Sequence, residues 1–356
     1  QPAQPESTEE SEDAAQPESA EEPKSADQHE SAEQDQPQQA APAAAPAGSA
    51  PVNKKDDGFW GNTITVINNI ADKVLNLTLK DVKIDVSDTG DQYDWDQKGK
   101  AALSVQGKGN VEIELDGDNE LKSGTQSAGL EKTSTGTLTL KDDNKEAGSL
   151  TATGGFNSAG IGGGYLGDGK NITITGGTVN ATGNEDGAGI GGGSSGSGEN
   201  ITINGGEVTA SGGDNWDDCG AGIGGGAEGG GGNNITIKGG TVTATGGGYH
   251  GNSGAGIGGG SSGSGENITI NDGKVTATGG NYAAGIGGGS VGRWGGDAGS
   301  GKNITINGGT VNATGDGGAG IGGGGAAASD IELWGSNGGN GEDITINGGT
   351  RTPDGE

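Results

Sequence analysis

The sequence predicts an all-β fold: a solenoid of parallel strands, or parallel β-helix, of about eight to nine coils with three short strands per coil, preceded by a disordered tail. Three observations predict it. The hexapeptide Ala-Gly-Ile-Gly-Gly-Gly recurs, beginning at Ala159, Ala188, Ala221, Ala255, Ala284 and Ala319. The tetrapeptide Asn-Ile-Thr-Ile recurs at Asn171, Asn200, Asn234, Asn267 and Asn303, and as Asp-Ile-Thr-Ile at Asp343. The central isoleucines Ile161, Ile190, Ile223, Ile257, Ile286 and Ile321 are spaced by 29, 33, 34, 29 and 35 residues. Periods in this range mark repeat architectures, in which each unit buries its small apolar face against its neighbours.

Composition supports this reading and removes others. Of 356 residues, 85 are glycine and only 27% are hydrophobic, too few for a conventional large core. Collagen is excluded because glycine does not fall at every third position and only 9 residues are proline. No stretch approaches the ~18–20 apolar residues of a membrane span, so no membrane insertion is expected. A net charge of −30 would repel nucleic-acid phosphates and leaves room for cations. The chain starts at Gln1 and lacks methionine, which leads us to expect a removed signal peptide and an extracellular or bacterial cell-surface location. The single cysteine, Cys219, excludes an internal disulfide.

Residues 1–57 are rich in Gln, Pro, Glu, Ala and Ser, with 14 acidic and 3 basic residues. Such a segment cannot offset its ordering entropy by burial, and is expected to be a disordered acidic tail. Order is expected from Phe59-Trp60 onward. Residues 62–68, Val74 to Leu79 and Val82 to Val86 alternate like strands and carry larger side chains than the later repeats. Ala102-Leu103 and Ala128-Gly129-Leu130 stand where later coils have Ala-Gly-Ile. Val111 to Leu115 and Leu138-Thr139-Leu140 stand where they have Ile-Thr-Ile. Residues 58–125 thus read as degenerate N-terminal coils and a cap, and 126–356 as the regular glycine-rich repeat.

Each regular coil offers three extended pieces of period two. In the coil after Asn171, Ile172 and Ile174 point inward, then Val179 and Ala181, then Ala188 and Ile190. Gly-Gly and Thr-Gly pairs separate the pieces, where positive φ is expected. The asparagines at the start of each Ile-Thr-Ile strand match glycosylation sequons. Their identical position in every coil is better explained by side-chain amides stacking into a column.

Functional candidates lie on the outward faces and in the loops. The second strand turns Ser149, Thr151 and Thr153 outward, then Thr178, Asn180 and Thr182, Glu207, Thr209 and Ser211, Thr241, Thr243 and Thr245, Lys274, Thr276 and Thr278, and Thr310, Asn312 and Thr314. Such a face suits a sugar, an ice lattice or plain solvent, because threonine fits strands in any case. Phe156, Trp216, Tyr249 and Tyr282 precede Ala-Gly-Ile-Gly-Gly-Gly, while Tyr165, Trp294 and Trp334 follow it. Rings on one corner of successive coils would form a platform for sugar rings, or would fold back over the corners. Phe156, Trp216, Tyr249 and Tyr282, with Thr241, Thr243 and Thr245, are the candidate carbohydrate contacts. The densest acidic loop holds Asp214, Asp217 and Asp218, oxygen donors suited to calcium. Enzyme chemistry has little support. The two histidines are His29, in the tail, and His250, in a glycine loop, and Cys219 has no cationic neighbour in sequence.

With these residues in view, the repeat Ala-Gly-Ile-Gly-Gly-Gly … Asn-Ile-Thr-Ile-x-Gly-Gly-Thr-Val-x-Ala-Thr-Gly resembles the coils of secreted bacterial carbohydrate-binding proteins with a right-handed parallel β-helix. The stretch from Val74 to Gly154 resembles that family's opening coils, so the likeness covers about 58–356. The resemblance implies a calcium-associated, non-catalytic binder of plant-wall and acidic polysaccharides such as polygalacturonate. It transfers no individual calcium ligand. A charge of −30 would oppose an acidic polymer unless calcium bridged the carboxylates. The rivals are a structural or adhesive surface protein without a glycan ligand, a polysaccharide lyase and an ice-binding protein.

Overall fold

The computed structural model describes residue 55 and residues 57–144, 146–214, 218–248, 251–291, 296–326 and 336–351. Apart from Lys55 and Asp57, the tail expected at 1–57 lies outside them. Every regular element among the described residues is a β-strand, and the ladders are parallel throughout.

Apart from Gly296–Asp297 and Ser336–Asn337, which pair as a separate two-stranded sheet, the described strands stack in three ladders. The first is a nine-stranded sheet that begins with Ile64–Asn68, Leu103–Gly107 and Leu130–Lys132 and continues through the two-residue strands Ile161–Gly162 to Ile321–Gly322. The second runs from Val74–Lys80 to Gly341–Ile346 through the Ile-Thr-Ile strands. The third runs from Lys83–Asp85 to Thr350–Arg351 through the Thr-Val-x-Ala-Thr strands. The long strand Asn110–Lys122 joins the last two. Its first half pairs with Val74–Lys80 and its second half with Lys83–Asp85, and it turns between them at Gly117, φ 60°. At that corner the first coil uses Asp81 at φ 52°, and later coils use glycines such as Gly177 and Gly206.

Register holds across coils of unequal length. Ile190 pairs with Ile161 and Ile223, and Val179 pairs with Leu150 and Val208. The degenerate coils keep the same register, with Leu103 opposite Leu130 and Leu130 opposite Ile161. Extra residues therefore collect in the loops beside the first ladder. The core is the set of inward columns. Ile172, Ile174, Val179, Ala188 and Ile190 are fully buried, and the same positions are buried from coil to coil. Each buried isoleucine contributes about 1.5–3 kcal/mol through area removed from water. Ile344 and Ile346, in the last described Ile-Thr-Ile strand, are 38% and 39% exposed because no later described coil packs on them. At the other end Trp60 packs against the core, and Lys122 Nζ stands 4.4 Å from the centroid of the Phe59 ring.

Two residue types are fixed by backbone geometry. The glycine after each central isoleucine has φ between 134° and 141°, in a region closed to L side chains. A Cβ on Gly191 would lie 1.9 Å from the Gly224 carbonyl oxygen. The asparagines that open the Ile-Thr-Ile strands take φ of 50–56°, and Asp343 takes 52°. Asparagine and aspartate are the side chains that best tolerate this left-handed conformation. Their amides also stack. Asn200 Nδ2 donates to Asn171 Oδ1 at 3.0 Å, Asn234 Nδ2 to Asn200 Oδ1 at 3.2 Å, and Asn303 Nδ2 to Asn267 Oδ1 at 2.6 Å. One step is displaced, since Asn267 Nδ2 donates to Asn233 rather than to Asn234. A second column links Asn347, Asn307 and Asn271.

Polar Asn119, in register with the core residue Leu150 and 2% exposed, and one charged residue depart from the apolar interior. Lys132 pairs in register with the core residue Val105 and is 3% exposed. Its ammonium donates to the Ser134 carbonyl at 2.7 Å. Burial pushes its pKa down from 10.5 to about 8.

Candidate functional site

The third ladder builds a regular hydroxyl face. Thr243 lies in register between Thr209 and Thr276, in a column that also holds Thr151, Asn180 and Asn312. Thr241 stands between Glu207 and Lys274, and Thr245 between Ser211 and Thr278. Thr241 and Thr245 are exposed and Thr243 is half-buried. Neighbouring strands place equivalent hydroxyls ~4.8 Å apart. All three predicted threonines therefore share one surface. Glu207 and Lys274 interrupt its first column with opposite charges.

Of the four aromatics expected on one corner, Phe156 and Tyr282 lie among the described residues. Phe156 is half-buried and meets Trp95, with ring centroids 6.1 Å apart and tilted by 60°. Tyr165 meets the same tryptophan at 5.1 Å and 39°. These separations are typical of favourable aromatic pairs. Phe156 and Tyr165 flank one Ala-Gly-Ile-Gly-Gly-Gly segment, and the coil brings both to Trp95. Tyr282 behaves differently. It takes φ 62°, and a Cβ on Gly317 of the next coil would lie 2.7 Å from its Cδ1. Its ring therefore lies over the neighbouring loop. Trp216 and Tyr249 lie outside the described residues, as do Trp294, Trp334 and His250.

Trp95 was not singled out by the repeat, because it belongs to a segment outside it. Between Lys83–Asp85 and Leu103–Gly107 the first coil carries a long insertion containing Tyr93-Asp94-Trp95. Aspartate side chains shape this loop. The Tyr93 amide donates to Asp91 Oδ1 at 2.9 Å and the Asp96 amide to Asp94 Oδ1 at 3.1 Å. The Asp91 amide donates to the Gln97 carbonyl at 3.0 Å, closing the loop. Gln126 Nε2 then donates to the Trp95 carbonyl at 3.3 Å, tying the loop to a later coil. Trp95 is left 53% exposed and Tyr93 86% exposed. The available signal was an insertion with two large aromatics in an otherwise degenerate coil.

The acidic loops adjoin one another across coils. Glu185 is shifted upward by burial and then by the negative charge of Asp214. Asp218 Oδ1 accepts from Ser261 Oγ at 2.7 Å, and Asp214 is exposed. Ser194 Oγ lies 3.2 Å from Asp186 Oδ2 and 3.3 Å from Glu228 Oε2. Asp217 lies outside the described residues. Among those described, no three acidic, histidine or cysteine side chains converge as a metal site would require. Cys219 is buried.

Six segments, 146–165, 172–194, 201–227, 235–261, 268–290 and 304–325, match the beta helix repeat family. They coincide with the regular coils and agree with the observed fold. No curated protein matches the chain, and neither does any solved structure.

Proposed function

We propose that this parallel β-helix is a non-catalytic, extracellular polysaccharide-binding protein. The observation that carries the reading is the surface cluster of Trp95, Phe156 and Tyr165, with Tyr93 beside Trp95 in the same loop. A half-exposed indole next to tyrosines offers an apolar face for a sugar ring and polar tips for its hydroxyls. Thr153 ends the strand that leads into the Phe156 loop, so the hydroxyl columns begin within three residues of the cluster. Most of the ligand's hydrogen bonds would come from these hydroxyls.

Calcium enters the proposal as a bridge between acidic loops and an acidic glycan, not as a structural centre. Glu185, shifted upward by burial first and by the Asp214 charge second, stands near a like charge that a cation would relieve. Asp218 would extend the same acidic surface.

Affinity electrophoresis through neutral and acidic polysaccharide gels, with calcium and with chelator, tests the reading. Trp95→Ala should lose retention at least tenfold, and Tyr165→Ala should lose part of it. Retention unchanged in Trp95→Ala would sink the glycan reading. It would leave a structural or adhesive role, which the packing of Tyr282 over Gly317 favours for that ring.

A further inference from the structure

The first coil covers one of its three strands at the N-terminal edge and leaves two open. Over Lys83–Asp85, the Trp60 amide donates to the Lys83 carbonyl at 2.9 Å and the Asp85 amide to the Trp60 carbonyl at 3.0 Å. Among the described residues, Ile64–Asn68 pairs only with Leu103–Gly107, and Val74–Lys80 only with Asn110–Lys122. In the latter pair the Asn110 amide donates to the Lys73 carbonyl at 3.2 Å, and the Asp81 amide to the Asp116 carbonyl at 3.3 Å. Alternate residues of a parallel ladder bond the same neighbour, so the odd-numbered residues face Asn110–Lys122. The N–H and C=O groups of Val74, Asn76, Thr78 and Lys80 therefore point to the open edge.

A bare strand edge is a template for another strand, and proteins usually blunt it with proline or a bulge. Residues 58–85 contain no proline, and neither open strand shows a register shift. Ile67, Ile70 and Val74 are exposed at this end, and Leu75 and Leu77, which continue interior columns, are only half-buried. Charge is balanced here too. Residues 58–85 hold Lys73, Lys80 and Lys83 against Asp72, Asp81 and Asp85, a net of zero in a chain at −30. Two copies of so acidic a chain repel least where they meet through such a patch.

The edge is also complementary to itself. Antiparallel pairing of Val74–Lys80 with its twin about Leu77 sets Asn76 opposite Thr78 and Val74 opposite Lys80. These are the residues whose backbone groups are unpaired, so every N–H and C=O on this edge finds a partner. Leu75 then meets Leu79 and Leu77 meets Leu77, which continues the core. Lys73, which makes no ion pair among the described residues, meets Asp81 twice across the two-fold axis, and no like charges face each other. Residues 1–54 hold a single large apolar residue, Val52, and supply no alternating strand to fill the edge instead.

We propose that two copies of this chain join at their N-terminal edges through Val74–Lys80, antiparallel about Leu77. The contact uses the same surface on both copies and closes at two. It stands independently of the glycan reading. For that reading it means two Trp95 loops per particle, since each is inserted in the coil that ends at this edge.

Sedimentation velocity of the full chain over a wide micromolar range tests the proposal. Wild type should show a monomer–dimer equilibrium, and exchange of the Thr78 amide should slow as concentration rises. Thr78→Pro removes an N–H that points to the edge, a position where proline is tolerated, and should weaken the dimer at least tenfold. Unchanged exchange of the Thr133 and Ser134 amides shows that its coils remain folded. Lys73→Glu, an exposed substitution, should weaken the dimer about fivefold by placing two like-charge pairs across the contact. For the register, Asn76→Cys and Thr78→Cys chains are oxidised separately and mixed. The mixture should form an intermolecular disulfide and neither chain alone should, because 76 faces 78 and not itself; Cys219 is buried. A monomer at every concentration would overturn the proposal, and a protected Thr78 amide in that monomer would assign the edge to the tail. Growth beyond the dimer, a dimer that survives both Thr78→Pro and Lys73→Glu, or cross-linking of either cysteine variant alone would overturn it as well.

Discussion

Replacing Lys132 with methionine is expected to stabilise the protein at pH 7, although it removes a charged hydrogen bond. The reasoning begins from a folded pKa of about 8 against 10.5 for the free side chain. Below pH 8 both folded and unfolded states carry the proton, so the full burial penalty is present. A difference of 2.5 units at ~1.4 kcal/mol each makes that penalty about 3 kcal/mol. Between pH 8 and 10.5 the unfolded state binds more protons than the folded one, so wild-type stability rises with pH through this window. Neighbouring Lys170 is shifted upward by its bond to Asp168 and its pairing with Glu199, and titrates above it. Methionine keeps the length of the stem and loses the hydrogen bond to the Ser134 carbonyl, worth about 1 kcal/mol. The net expected gain at pH 7 is therefore about 2 kcal/mol. It should shrink steadily as the pH approaches 10.5. Because coils of a repeat protein can open separately, the assay should be local. Hydrogen exchange of the Thr133 and Ser134 amides, which donate to the Val105 carbonyl, reports on this coil. A variant less protected than wild type at pH 7, or wild-type protection free energy that falls from pH 8 to 10, would refute the reasoning.

Two further substitutions probe the backbone positions. Gly191→Ala forces a Cβ against the Gly224 carbonyl at φ 140° and should cost at least ~3 kcal/mol, read as a lowered denaturant midpoint. A loss below ~1 kcal/mol would show that the corner relaxes around the methyl group. Asn234→Ala should lose both the left-handed preference and the amide bond to Asn200, about 2 kcal/mol together. Asn234→Gly should recover the first part, so equal losses in the two variants would exclude a conformational role.

The architecture was legible because its signals are repeated. Six copies of a hexapeptide fix the register, and period-two alternation identifies which of Ile172, Val179 and Ile190 face inward. The amide column was legible for the same reason. Its conformational half was not, because an asparagine column looks the same from sequence whether it serves stacking or a positive φ. The hydroxyl face could be read residue by residue, since strand alternation determines it. The aromatic site could not. Phe156 and Tyr165 lie nine residues apart, and what unites them is Trp95, some sixty residues earlier in an insertion without repeat character. Lys132 was hidden differently. It sits in a degenerate strand, and only its register with Val105 reveals that a charged side chain occupies an interior column.

The column of identical asparagines has a consequence for how such a chain can change. The amide of Asn200 meets the coil before it with its donor and the coil after it with its acceptor, and the isoleucine columns are just as uniform. Each coil's upper surface is therefore complementary to the lower surface of almost any other. Duplication or loss of a unit of about thirty residues would leave joints of the same kind on both sides. Coil number is thus free to drift between generations without a compensating substitution. Features that depend on a single coil pair, such as the register of Lys132 with Val105, would keep their geometry so long as that one joint is spared.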